Sequence, residues 1–307
     1  MKIYHSLEEF EKIENAVVTI GTFDGVHVGH LKIINRLCQI ANEIRGESVL
    51  LTFFPHPRMV LFSDNDLKLI STIKEKTALL EKAGVDHLII HPFSRKFSRL
   101  SSVEFVRDIL VNFIGTKRLV IGYNHHFGRN REGSFEHLKE YGPVYGFNVE
   151  EISVKDIDQV SVSSTQIRNA LAQGDVRTAN EYLTYDFSLS GIVVKGDHLG
   201  RTIGFPTANI QVLDPHKLIP SNGVYGVHIK IRGRFFKGML NIGYRPTIEG
   251  EERTIEVHIF DFNEDIYGES LLVSFKFWVR EEKKFDDLSH LKKQLSHDKE
   301  IIIKQLL

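Results

Sequence analysis

Sulfur is scarce in this chain of 307 residues, which has one cysteine, Cys38, and three methionines. A single thiol excludes an internal disulfide framework and leaves a cysteine-rich metal centre without ligands. Net charge is nearly absent too, with 39 Lys and Arg against 40 Asp and Glu, a formal −1. That balance gives no general attraction to nucleic acid or to a membrane, although a few placed cations could still hold a phosphate. No apolar run approaches the length that spans a bilayer. The opening M-K-I-Y-H-S-L-E-E-F shows no charged-then-apolar leader. With 42% hydrophobic and 26% charged residues, the composition is that of a globular protein, and the length suits two domains. These features predict a cytoplasmic protein of the size of an enzyme, and they leave its oligomeric state open.

The densest motif is G-T-F-D-G-V-H-V-G-H, residues 21–30, directly after the apolar run Ala16–Ile20. It predicts a strand, a glycine-rich turn and a helix whose first turn carries His27 and His30 on one face. Gly21, Gly25 and Gly29 let backbone or ligand approach where a Cβ would obstruct. Free N–H groups at a helix start favour an anion, and two imidazoles strengthen that site for a phosphate chain. The competing readings are a pair of surface residues or a weak metal pair, and zinc would need a third and usually a fourth ligand.

Further apolar runs follow at Ser48–Phe54, His87–Ile90, Leu119–Ile121 and Val149–Val154. Helical patterns at Leu31–Glu43, Ile73–Ala83 and Val103–Ile114 lie between some of them. This alternation predicts βαβ units, a parallel sheet and ligands bound beyond the C-terminal strand ends. Asn124 and the Pro55-His56-Pro57 stretch stand at two such ends. The half closes on V-S-V-S-S-T-Q-I-R-N-A-L, residues 160–171. There Ser163, Ser164 and Thr165 supply hydroxyls at a helix start, and Arg168 adds a planar cationic fork one turn later. The alternative is a plain helix cap with a solvated arginine.

The H-x-G-H segment and the Ser/Thr turn with its arginine together resemble the HxGH nucleotidyltransferase superfamily, whose members move a nucleotidyl group from ATP and release pyrophosphate. The resemblance implies a Rossmann-like α/β domain. His27, His30 and Arg168 would then be catalytic, and Gly21, Phe23, Gly29, Ser163, Ser164 and Thr165 would hold ATP and its phosphates.

From about Asp186 the alternation stops. Strand-like runs at Ser188–Lys195, Gly223–Ile231, Phe235–Ile242, Thr254–Phe260 and Leu271–Val279, separated by short turns, predict a small antiparallel β-barrel. A last helix, about Leu288–Leu306, has apolar residues at 288, 291, 295, 302 and 306 to pack on it. The helix Asp175–Leu183 and the connection Thr184–Phe187 join the halves, which predicts domains at 1–183 and 184–307. Chemistry concentrates in G-I-V-V-K-G-D-H-L-G-R-T-I-G-F-P-T-A-N-I, residues 191–210. Gly196, Gly200 and Gly204 leave a loop able to wrap phosphates. Thr207 and Asn209, two apart in extended chain, offer hard oxygens suited to Mg²⁺ with ATP phosphates. Glu256 sits between Ile255 and Val257, and is either an outward charge or a base facing a pocket.

The string G-R-T-I-G-F-P-T-A-N-I, then G-V-Y-G, N-I-G-Y-R-P-T, E-V-H-I-F-D-F and R-E-E-K-K-F, resembles riboflavin kinase in that order. The two halves together resemble one family, the bacterial bifunctional riboflavin kinase/FMN adenylyltransferases, from about residue 15 to 300. The resemblance implies that the C-terminal domain phosphorylates riboflavin with Mg²⁺ and ATP. Gly196, Gly200, Arg201, Gly204, Thr207 and Asn209 would bind ATP, with Thr207 and Asn209 also on the metal. Glu256 would be the general base and Arg280 would lie near the flavin. The N-terminal domain would transfer AMP from ATP to FMN, giving FAD and pyrophosphate, with Asn124 and Phe127 near the flavin. An alternative keeps one half catalytic and makes the other a flavin-binding regulatory module. The chain departs from the family's usual aromatic residue in having His125 after Asn124.

Overall fold

The computed structural model describes every residue except 63–65, 123–124, 153–161, 197–198, 248–249 and 307. Packing divides the chain into two units, Met1–Ser164 and Thr165–Leu307. Asn124, expected near the flavin, lies outside the described residues.

The first unit is built on strands β1 (Lys2–Tyr4), β2 (Ala16–Ile20), β3 (Ser48–Phe54), β4 (His87–Pro92), β5 (Thr116–Gly122) and β6 (Asn148–Ile152). All pairings are parallel, in the order β1-β4-β3-β2-β5-β6. Strands buried on both faces read as continuous apolar runs, and all five residues of β2 are buried. Alternate residues feed two cores. Leu50, Leu88 and Ile90 pack with Phe23, Val26, Ile34 and Leu80. Val49, Leu51 and Ile89 pack with Phe105, Val106 and Leu110. Helices α1 (Val28–Glu43), α2 (Pro57–Leu61) and α3 (Ile73–Lys82) follow β2 and β3.

The pattern over Val103–Ile114 predicts an α-helix. The chain instead makes a short α4 (Ser102–Glu104) that runs into π-helical turns, Phe105–Ile114. Buried Phe105, Val106, Ile109, Leu110 and Ile114 recur at spacings of four and five, which suit the wider turn. Helix α5 (Phe135–Tyr145) then leads to β6. Strand β2 lies inside the sheet with β3 on one side and β5 on the other, so the strand order reverses there. The crevice beyond the C-terminal ends at such a switch point is where open α/β sheets bind ligands.

The second unit begins within α6 (Ser164–Ala172) and continues with α7 (Val176–Leu183). These helices dock on the barrel that follows. The Ser221 N–H donates to the Leu171 carbonyl at 3.0 Å, and the Asn180 amide donates to the Phe275 carbonyl at 2.8 Å. The barrel comprises β7 (Ser188–Val194), β8 (Ala208–Gln211), β9 (Gly223–Ile231), β10 (Arg234–Thr247), β11 (Gly250–Ile259) and β12 (Ser270–Arg280). Its order is β10-β11-β8-β7-β12-β9, closed by antiparallel pairing of β9 with β10. A short α8 (Leu199–Thr202) interrupts the β7–β8 connection, and α9 (Leu288–Gln305) ends the chain.

Direct pairing puts Tyr225, Leu240, Val257 and Ala208 on one face of the barrel wall. Tyr225 and Phe275 are fully buried there, with ring centroids 5.1 Å apart. The opposite face carries Val224, Met239 and Phe277, and α9 covers it through Ile302. Glu256 alternates with Ile255 and Val257, so it stands on that outer face.

Candidate active sites

In the first unit the turn after β2 is bent through unusual backbone. Phe23, Gly25 and Val26 have φ of 45°, 84° and 39°. Positive φ at a β-branched residue such as Val26 is an outlier that surrounding structure must hold in place. Asp24, 1% exposed, provides part of that hold. Its carboxylate accepts the N–H groups of Ile70 and Ser71, each at 3.1 Å, and the Ser71 hydroxyl at 3.3 Å. Ser71 Oγ in turn accepts the Gly25 N–H at 3.0 Å.

The expectation for the histidines needs one adjustment. His27 is the cap of α1 and lies outside its first turn, and its Nδ1 accepts the His30 N–H at 3.4 Å. The two rings stack, with centroids 3.6 Å apart and planes 19° from parallel. The Phe23 ring lies 4.9 Å from that of His30. Burial first, then the neighbouring His27 and Lys76, hold His30 well below the usual imidazole range, so it is neutral at pH 7. Its Nδ1 is buried and has no hydrogen-bond partner among the described residues. A buried imidazole nitrogen without a partner, beside helix N–H groups at the switch point, suits a polar ligand.

The second signature reaches this turn through Ser164, whose hydroxyl donates to the Asp24 carbonyl at 3.0 Å. Ser163 and Thr165 flank it and are exposed. Thr165 and Arg168 belong to the second unit by packing. Phe127 is buried, 5.6 Å from the Phe105 ring, with His125 stacked on it at 6.1 Å. His125 Nε2 is also buried without a partner among the described residues, and burial pushes this imidazole down to about 4.

In the second unit the barrel register assembles a polar cluster on the outer face. Glu256 of β11 lies directly opposite Asn209 of β8 and Asn241 of β10. Thr207 Oγ1 donates to Glu256 Oε2 at 3.1 Å. Two glycines admit this geometry. A Cβ on Gly196 would stand 2.0 Å from Asn209 Nδ2, and one on Gly200 would stand 2.2 Å from the Phe205 carbonyl oxygen. Gly204 has φ of 85°, a left-handed conformation that favours glycine. Arg201 is exposed on α8.

His258, two residues beyond Glu256, donates from Nδ1 to the Pro206 carbonyl at 2.8 Å and so steadies the P-T-A-N segment. Burial holds its imidazole below the ordinary range. The donors Thr207 Oγ1, Asn209 Oδ1 and Glu256 are hard oxygens gathered in one cluster, and Gly196 lets the backbone pack directly against Asn209 beside them. This set fits a Mg²⁺ that keeps waters and is shared with phosphates. Arg280 is engaged within the protein. Its Nε lies 3.1 and 2.9 Å from the Asp298 oxygens, and its Nη1 donates to the Glu281 carbonyl at 2.9 Å.

Sequence reasoning passed over Ser71, Lys76, Asn241 and His258. One signal was available for Lys76, which recurs with Ile73 and Leu80 at the spacing of an apolar helix face.

The FAD synthetase family matches residues 9–166, and the riboflavin kinase family matches residues 183–306. A curated bifunctional riboflavin kinase/FMN adenylyltransferase from Haemophilus influenzae is 37% identical over 303 residues, covering 98% of this chain and 97% of that one. The chain belongs to the bifunctional riboflavin kinase/FMN adenylyltransferase family. The Bacillus subtilis relative of the same name is 34% identical over 300 residues, covering 96% of this chain and 93% of the relative. A crystal structure described as a macrolide-efflux protein from Streptococcus pneumoniae has a TM-score of 0.89 and 32% identity, covering 98% of this chain and 97% of that one. The likeness to that structure supports the fold. No helix among the described residues is long and apolar enough to cross a membrane. Within this family, the parallel-sheet unit corresponds to FAD synthetase and the closed barrel to riboflavin kinase.

Proposed function

We propose that the chain makes FMN and then FAD, with residues 1–183 responsible for adenylyl transfer and 184–307 for the kinase step. The observation that carries this reading is the Thr207–Glu256–Asn209 cluster in the barrel of a chain that also stacks His27 on His30 at the sheet's switch point.

In the kinase step the ribityl 5′-hydroxyl of riboflavin attacks the γ-phosphorus of ATP. An O–P bond forms and the bond to the β-phosphate oxygen breaks. Glu256, half-buried and tethered by Thr207, takes the hydroxyl proton. Gly196, Gly200 and Gly204 shape the loop around the phosphates, with Arg201 beside them. Thr207 and Asn209 would hold Mg²⁺, which would supply charge neutralisation on the phosphates. Arg280 is assigned to the flavin end, where it acts from its fixed pairing with Asp298.

In the second step an FMN phosphate oxygen attacks the α-phosphorus of ATP and pyrophosphate leaves. Positioning and electrostatic stabilisation carry this reaction. Neutral His30, and His27 beside it, donate hydrogen bonds to phosphate oxygens, while Gly21, Phe23 and Gly29 let the nucleotide approach the turn. Ser163, Ser164, Thr165 and Arg168 take the departing phosphates. Asn124 and Phe127 are assigned to the flavin. ATP and the flavins are cytoplasmic metabolites, which fits the cytoplasm as the place of action.

A chromatographic time course with riboflavin, ATP and Mg²⁺ tests the reading. FMN should rise and give way to FAD. Glu256→Gln should abolish FMN formation yet still adenylylate supplied FMN, and His30→Ala should do the converse. Equal loss of both activities in either variant would contradict the assignment.

A further inference from the structure

Lys76 is a buried charge that the roles above leave without a purpose. It lies on α3 and is 5% exposed. A lysine is almost never buried unless something compensates its ammonium. Here Nζ donates to the Thr22 carbonyl at 2.7 Å, and the same carbonyl accepts the Thr52 hydroxyl at 3.2 Å. Thr22 immediately precedes Phe23, the first residue of the turn with positive φ. The charged and titratable groups acting on Lys76 and His30 are Asp24 from the turn and His27 from the cap of α1. Burial draws Lys76 down to about 8, and Asp24 opposes that fall. Lys76 also helps to keep His30 neutral.

A carbonyl needs only a neutral donor. A buried cation at this position brings a field as well as a hydrogen bond, and the carboxylate that acts on it, Asp24, also accepts the backbone N–H groups of Ile70 and Ser71. The field lies under the turn from which the stacked histidines project.

We propose that Lys76 is a positioning residue for adenylyl transfer: through the Thr22 carbonyl it fixes the strained turn that carries His27 and His30, and its ammonium places positive charge beneath the nucleotide phosphates. The inference rests on the adenylyltransferase assignment of this unit. It implies that adenylyl transfer slows as pH rises through the point where Lys76 loses its proton.

The test uses the full chain and three variants, Lys76→Met, Lys76→Gln and Lys76→Arg, with both activities measured on each preparation. Lys76→Met and Lys76→Gln should lower kcat for FMN adenylylation at least ~10-fold, a typical loss when a fixed electrostatic donor is removed. Riboflavin phosphorylation should be unchanged. Lys76→Arg should restore part of the loss. The wild-type kcat should fall above about pH 8, and in Lys76→Arg that limb should move to higher pH, because guanidinium keeps its proton. Wild-type adenylylation by Lys76→Gln would overturn the proposal. Should Lys76→Met fail to fold, the wild-type and Lys76→Arg profiles still decide, and coincident alkaline limbs overturn it. No FAD from the wild-type chain would instead sink the assignment of the unit, which is a different result from FAD made normally without Lys76.

Discussion

Ser164 donates its hydroxyl to the main-chain carbonyl of Asp24 at 3.0 Å, joining residues 140 positions apart. The bond brings the start of the second nucleotide signature onto the turn of the first. Ser164→Ala removes a partly buried neutral hydrogen bond worth about 0.5–1.5 kcal/mol. FMN adenylylation should fall about 2- to 10-fold while the kinase keeps its rate. Assays of both reactions on one preparation check this, and an unchanged adenylylation rate would show the bond to be incidental.

Gly196 and Asn209 form the tightest fit in the barrel's polar cluster. Gly196→Ala would place a methyl 2.0 Å from Asn209 Nδ2, so either the amide or the loop must shift. Overpacking of this kind costs about 1–3 kcal/mol. The expected outcome is loss of riboflavin phosphorylation by more than about tenfold, since ~1.4 kcal/mol is a factor of ten in rate. Adenylylation of supplied FMN should persist. A variant with full kinase activity would mean that Asn209 need not hold its position.

His125 makes the first unit sensitive to acid. Its folded-state value is about 4 because burial disfavours the charged ring, whereas an unfolded histidine titrates near ~6.5. Above ~6.5 both states are neutral and the stability is fully present. Between ~6.5 and about 4 the unfolded chain binds a proton that the folded chain refuses, so stability is lost as pH falls, by at most about 3 kcal/mol. His125→Phe, which restores the aromatic usual in the family, should flatten the melting temperature against pH between 7 and 5. His30 and His91 titrate in the same direction, so the readout is the difference between variant and wild type. Superimposable curves would refute the assignment to His125.

Arg280 and Asp298 tie β12 to α9 through a partly buried pair, with Asp298 1% and Arg280 15% exposed and Gln294 donating to Asp298 at 2.8 Å. Asp298→Ala deprives a partly buried guanidinium of its carboxylate and should destabilise the barrel by about 1–3 kcal/mol. The double variant Arg280→Met with Asp298→Leu should cost much less, because no unpaired charge remains. Denaturant midpoints separate the cases. A single variant no worse than the double one would show that the guanidinium finds another partner.

The sequence was most legible where one physical requirement dominates. Strands β2 and β3 are buried on both faces, so their apolar runs could hardly be read otherwise. Strand β1 has three residues and no such run, and α5 carries Pro143 inside it, so neither announced itself. The site was legible where residues touch in sequence, as in H-x-x-H and P-T-A-N. It was obscure where support arrives from other elements. Nothing local distinguishes Lys76 from the exposed Lys74 two positions earlier except its place on the apolar stripe. Asn241 meets Glu256 only because β10 and β11 pair in one register and no other. A one-residue slip would turn either side chain to the opposite face.

The closure of the barrel has a consequence during synthesis. Strand β7 pairs with β12, which begins at Ser270, so the wall cannot be completed until nearly the whole chain has left the ribosome. The parallel sheet is complete once β6 has emerged, more than a hundred residues sooner. Domains fold as they emerge, the N-terminal one first. A chain interrupted before Ser270 would therefore hold the adenylyltransferase sheet without the kinase barrel: it could consume FMN and could never produce it.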